Sequence, residues 1–154
     1  MKRCRVRCRR WSPKYCRARV GTCWRRARIW RKQVTAKIRP EDLGTGTDTN
    51  TSSRGFARNL GCNTDDAGHA IGNRLGGSGG KGNIFPQAPS VNRGEFRDFE
   101  GDIAEAVKGG SNVIVRVTPQ YDEGATRPHS VLYQARVDGN TESRLFHNPC
   151  SCDC

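Results

Sequence analysis

Asp65-Asp66-Ala67-Gly68-His69, the glycine-rich run Gly76-Gly77-Ser78-Gly79-Gly80, and then Asn83, Asn92 and Glu100 fill residues 65 to 100, and this stretch decides the fold. Glycine tolerates the backbone of a tight reversal, so the segments on either side of the run can lie against each other as two short strands. Apolar periodicity sets in near Asn92, so a helix follows. The side chains on this scaffold suit one chemistry. A histidine near neutral pH can take a proton from water, and carboxamide and carboxylate oxygens suit a hard cation such as Mg²⁺ rather than a thiolate-seeking one. A base beside such a cation matches phosphodiester cleavage.

Working outward, Phe96, Phe99, Ile103, Ala104 and Val107 recur at three- and four-residue spacings, which predicts one helix from Val91 to Lys108 stopped by Gly109-Gly110. Asn92 stands near its start, where it also suits an N-cap. Glu100 is eight positions on, about 80° around the helix, so both side chains can lean toward one site; on its own Glu100 reads equally as an exposed helix carboxylate. Val113, Val115 and Val117 alternate, as do Val131, Tyr133, Ala135 and Val137, with a polar loop from Tyr121 to Pro128 between them, predicting two paired antiparallel strands. Val34, Ala36 and Ile38 predict a further strand ended by Pro40. Residues 44 to 55 have loop composition and are expected to be mobile or ligand-facing. The expected class is α+β, an antiparallel sheet with one main helix.

The 154 residues suit one domain with an appended segment, large enough to bury roughly 70% of its unfolded surface. The net charge of +12 is unevenly spread. Residues 1 to 40 hold 16 of the 27 Lys and Arg and no acid, leaving 11 basic against 15 acidic residues in 41 to 154. The expected organisation is a basic arm over 1–32, a globular domain over 33–149 and a cysteine-rich tail over 150–154. Arg interleaved with Trp11, Tyr15, Trp24 and Trp30 suits phosphates and stacked bases, and equally an anionic membrane surface or a merely solubilising arm. The eight cysteines gather at the two ends, which favours disulfides joining arm to tail over reduced thiols or a thiolate metal site. No apolar run reaches the ~20 residues of a membrane span, and no signal-peptide stretch opens the chain. Export, if any, uses another route or a presequence absent here.

Asp66-Ala67-Gly68-His69 with Ala70-Ile71-Gly72, then Asn83-Ile84-Phe85-Pro86-Gln87, then Asn92 and Glu100, resembles the DNA/RNA non-specific endonucleases of the ββα-metal, or His-Me finger, class over roughly residues 54 to 137. The resemblance implies a ββα-metal finger in which His69 is the general base and Asn92 holds one Mg²⁺ (or Mn²⁺). It places Glu100 close to water on the metal and has Asn83 orient or support the site. The family's Asp-Arg-Gly-His carries an arginine where this chain has Ala67. That arginine would stabilise charge on the phosphate, so Arg54, ahead of Arg58 and Arg74, is the expected replacement. Implied with these is hydrolysis of DNA and RNA that leaves 5′-phosphates. Little base readout is expected, because the body shows no recognition helix rich in Arg, Asn and Gln. A further reading is a disulfide-stapled, secreted, toxin-like nuclease with an immunity or inhibitor protein as partner. The rival reading is a non-catalytic nucleic-acid or membrane-binding protein acting through the basic arm.

Overall fold

The computed structural model describes residues 33–150; the arm over 1–32, the tail over 151–154 and the cysteines in them lie outside the described residues. Val113, Val115 and Val117 are wholly buried and alternate with exposed Ile114 and Arg116, which makes Val113–Gln120 the central strand β4. It is flanked by β1 (Val34–Ile38) on one side and by β5 (Ser130–Val137) and β6 (Asn140–His147) on the other, giving the antiparallel order β1-β4-β5-β6. The polar strand β6 has no counterpart in the expectations from sequence. It is an edge strand with Phe146 alone buried, joined to β5 through Asp138 and Gly139. Both turn residues have positive φ, 47° and 94°, as a two-residue hairpin requires.

One face of this sheet is covered by α3 (Glu95–Lys108), whose Phe96, Phe99, Ile103, Ala104 and Val107 are buried. Phe96 and Phe99 pack against Tyr133 at ring-centroid distances of 5.3 Å each, and Phe96 lies 5.0 Å from Phe146. The single helix expected from Val91 is two. Pro89–Arg93 forms a short α2, and the backbone at Gly94 (φ −105°, ψ −121°) leaves the helical region before α3 begins. Asn92 therefore lies inside α2 and caps neither helix.

β2 (Asp66–His69) and β3 (Ile84–Gln87) pair antiparallel in a separate sheet, with Asp66 opposite Gln87 and His69 opposite Ile84. The α+β class thus stands, with two strands leading into helices. Against β2 and β3 packs α1 (Thr51–Leu60), its Ala57 closing a small second core with Ala67 and Ile84. This helix corrects the expectation of a loop over 44 to 55. Asn50 caps it, its side chain accepting from the Ser53 amide at 2.9 Å while Ser53 Oγ accepts from the Asn50 amide at 2.9 Å. Residues 44 to 50 remain a loop, pinned rather than loose: Gly44, Gly46 and Thr47 donate backbone N–H groups to the carbonyls of Arg74, Asn73 and Gly77. Among the described residues no helix is long and apolar enough to cross a membrane.

Candidate active site

His69 ends β2, and its Nε2 lies 3.0 Å from the carbonyl oxygen of Thr47. A carbonyl only accepts, so Nε2 carries the hydrogen and Nδ1 of the neutral ring is left as the acceptor. The pinned loop thus selects a tautomer. Across from it, Asn92 on α2 donates Nδ2 to Asp66 Oδ2 at 2.9 Å, and Arg93 grips both oxygens of Asp66 at 2.8 and 2.7 Å. Burial alone would raise the pKa of Asp66, but hydrogen bonds from Arg93 and Asn92, with the charges of Arg93 and Arg58, hold it below the usual range. The start of β2 is thereby tied to α2, and with the amide nitrogen committed to Asp66 the Asn92 oxygen is the end left to accept.

Glu100 rises from α3 and is 6% exposed. Burial pushes its pKa up to about 7, opposed by the Gly72 amide, which donates to Oε1 at 2.8 Å, and by the charge of Arg74. Gly72 is needed there, since a Cβ at that position would stand 2.2 Å from Glu100 Oε2. His69, Asn92 and Glu100 line one cleft of about 300 Å³, together with Arg74, Arg93 and Arg97. Arg74 crosses α3 at Gly101, where a Cβ would lie 2.9 Å from its Nη1.

Two expected site residues do not line this cleft. Asn83 stands behind it, its Oδ1 accepting from the Ile71 amide at 3.0 Å and its Nδ2 donating to the carbonyls of Ile71 and Ser78 at 2.8 and 2.9 Å. It holds the loop that leaves His69. Arg54 sits in the first turn of α1 with its guanidinium on the Thr49 carbonyl. Ala67 faces α1 rather than the cleft, packed with Ala57 and Ile84. Sequence reasoning missed Asp66 as the anchor of Asn92 and Arg93, and Arg93 and Arg97 as cleft cations.

The model of the DNA/RNA non-specific endonuclease family matches residues 26–139, most of the chain. The chain belongs to that family. It is 45% identical over 114 residues to a protein named as the probable deoxyribonuclease RhsA of Dickeya dadantii (strain 3937), matching 73% of this chain and spanning only 8% of that relative's length. The fold is shared with NucA from Streptococcus agalactiae in its magnesium-bound form, at TM-score 0.56 and 18% identity over 81% of this chain and 67% of that one. It is shared also with the Sda1 nuclease with bound zinc ion, at TM-score 0.53 and 22% identity over 57% of this chain and 40% of that one.

The oxygen donors of this endonuclease-family cleft suit a divalent cation. Asn92 presents a carboxamide oxygen and Glu100 a buried carboxyl whose pKa burial raises.

Proposed function

We propose that this chain is a metal-dependent endonuclease that hydrolyses phosphodiester bonds of DNA and RNA in the cleft shared by β2, α2 and α3. The observation that carries the reading is that His69, Asn92 and Glu100, separate in sequence, line one cleft with three arginines. His69 is the general base: Nδ1 takes the proton of the attacking water while Nε2–H stays on the Thr47 carbonyl and keeps the ring from turning. Asn92 Oδ1 and the Glu100 carboxylate are the oxygens that would hold Mg²⁺ or Mn²⁺, with Glu100 reaching it directly or through water. When bound, the ion supplies neutralisation of phosphate charge and of the departing 3′ oxygen. Asn83 keeps the turn beyond His69 in place, and Asp66 keeps the Asn92 amide in one orientation. The phosphate-clamping charge that Ala67 cannot give comes from Arg74 and Arg97, which line the cleft, Arg93 being committed to Asp66. Products bear 5′-phosphates, and there is little base readout because contacts to phosphate carry no sequence information.

Family membership does not favour the rival reading of a non-catalytic binder. The proposal extends to an extracellular setting, supported by the eight cysteines and checked by non-reducing mass spectrometry of the full chain. For the activity itself, plasmid DNA and RNA are incubated with Mg²⁺, with and without EDTA, beside His69→Ala. Metal-dependent cleavage lost in the variant is expected, and cleavage indifferent to that substitution would overturn the assignment.

A further inference from the structure

The sheet face turned away from α3 is unlike the rest of the folded body. Strand register puts Lys37, Ile114 and Arg136 in one row across β1, β4 and β5, and Thr35, Arg116 and Gln134 in the next. Lys37, Arg116 and Arg136 are exposed, and no ion pair among the described residues involves any of them. Ile114 and Leu145, 41% and 49% exposed, are the large apolar side chains most open to solvent among the described residues, and both stand on this face. Asp138, at the hairpin tip, accepts from the Asn112 amide at 2.8 Å. A depression of about 500 Å³ opens there between Lys37, Ile114 and Arg136, with Asp138 at its edge. The folded body over 33–149 is nearly balanced, with 14 acids against 13 bases, so three cations in no ion pair with a single carboxylate, Asp138, beside them make this face locally positive.

We propose that this outer sheet face is a second nucleic-acid contact, a holding site that grips the phosphate backbone of long substrates outside the catalytic cleft. The inference rests on the nuclease reading for the identity of its occupant. Neighbouring strands lie about 4.8 Å apart, so Lys37 and Arg136 are separated by roughly 10 Å at the backbone, with Arg116 diagonal to Arg136 at about 7–8 Å. Flexible cationic side chains at such intervals reach successive phosphates, and each contact releases counterions. Ile114 and Leu145 offer apolar surface to sugars or unstacked bases between them. β1 follows the basic residues 1–32 in sequence. Because α3 and the cleft beside it cover the opposite side of the sheet, only a long substrate can occupy both places.

The test uses the full chain with Lys37→Gln, Arg116→Gln and Arg136→Gln combined, its fold checked by circular dichroism, with Lys108→Gln as a control for charge removed elsewhere. Anisotropy with a fluorescent duplex of about 40 base pairs in EDTA should show roughly tenfold weaker binding, and a slope of log affinity against log salt reduced by about two to three between ~50 and ~200 mM. With Mg²⁺ the KM for plasmid should rise while hydrolysis of the small diester bis(p-nitrophenyl) phosphate is unaffected. Duplex affinity and salt slope matching those of the parent chain would overturn the proposal. So would retained duplex binding with lost binding of poly-L-glutamate, which would assign the face to an acidic protein. If the parent chain cleaves nothing, the nuclease reading fails by itself; if it cleaves and the triple variant does so with the same plasmid KM, only the holding site fails.

Discussion

The sheet with α3 and the wall made of β2, β3 and α2 are built on different principles. Behind α3 the valines of β4, Phe96, Phe99, Tyr133 and Phe146 form one sealed apolar core. The wall lends Phe85, Ala88 and Val91 to that core and has beyond it only the small cluster of Ala67 and Ile84 with Ala57 of α1. Directional bonds add to this packing. Asp66 ties β2 to α2, and buried Asn148 accepts from the Ala88 amide at 2.7 Å while donating to the carbonyls of Pro86 and Pro128 at 3.0 and 2.8 Å. Arg127 joins Asp65 to the carbonyls of Asn148 and Pro149. Apolar packing fixes where a backbone lies but does not choose which way an amide or imidazole turns, whereas hydrogen bonds do. The catalytic candidates accordingly sit in the wall. The exceptions are Arg97 and Glu100, both on α3, the second delivered into the cleft as a buried carboxyl.

The sharpest break of this division is His69→Ala. It should lower kcat on plasmid DNA by about 10²–10⁴-fold, the usual contribution of a general base, with the melting temperature nearly unchanged because no core packing is lost. Phe99→Ala should do the reverse, costing about 3–5 kcal/mol of stability in urea denaturation while the fraction still folded retains its kcat. If the histidine variant proves as unstable as the phenylalanine one, the separation of chemistry from packing fails.

Glu100 sharpens the comparison because it belongs to both regions. Its carboxyl keeps a proton up to about pH 7 in the fold but releases it near 4.5 when unfolded. Between those values the folded state binds more protons, so this group's contribution to stability falls as pH rises through the window and is level above it. The full change is on the order of 3 kcal/mol. Metal-free Glu100→Gln lacks the titration, so it should gain stability on the parent chain as pH increases from about 4.5 to about 7. Urea midpoints measured across that range in EDTA check this, and parallel curves would show that burial of Glu100 does not matter to the fold.

The same contrast explains what could be read from sequence. The strands β1, β4 and β5 and the helix α3 announce themselves because half of each is buried at a regular period. β6 is silent because Phe146 is its lone buried residue, and its signal lay in the Asp138-Gly139 turn instead. α1 was hidden by Thr51, Ser52, Ser53 and Gly55, whose composition is that of a loop; the pair Asn50 and Ser53, three apart, was the legible cap. Gly94 offered a cue for the break after α2. In the cleft, His69, Asn92 and Glu100 were visible because their residue types imply a chemistry. The anchoring roles of Asp66 and Asn148 were not, since each depends on partners far away in the chain that meet only after folding.

The smallest expected effect separates two arginines that sequence alone could not rank. Arg54 bonds the Thr49 carbonyl and does not line the cleft, whereas Arg74 lines it, runs beside Glu100 and crosses α3 at the glycine that makes room for it. An interior helix glycine costs roughly 1 kcal/mol against alanine, so Gly101 is explained if the guanidinium's approach matters to function. Arg74→Gln should lower kcat/KM by roughly tenfold to a hundredfold, the scale of a lost charge-stabilising donor, and Arg54→Gln by less than about threefold. Gly101→Ala should push Arg74 aside and reproduce part of the Arg74→Gln loss while raising helix stability slightly. Activity lost in Arg54→Gln and kept in both other variants would return the phosphate clamp to α1 and leave Gly101 without a functional reason.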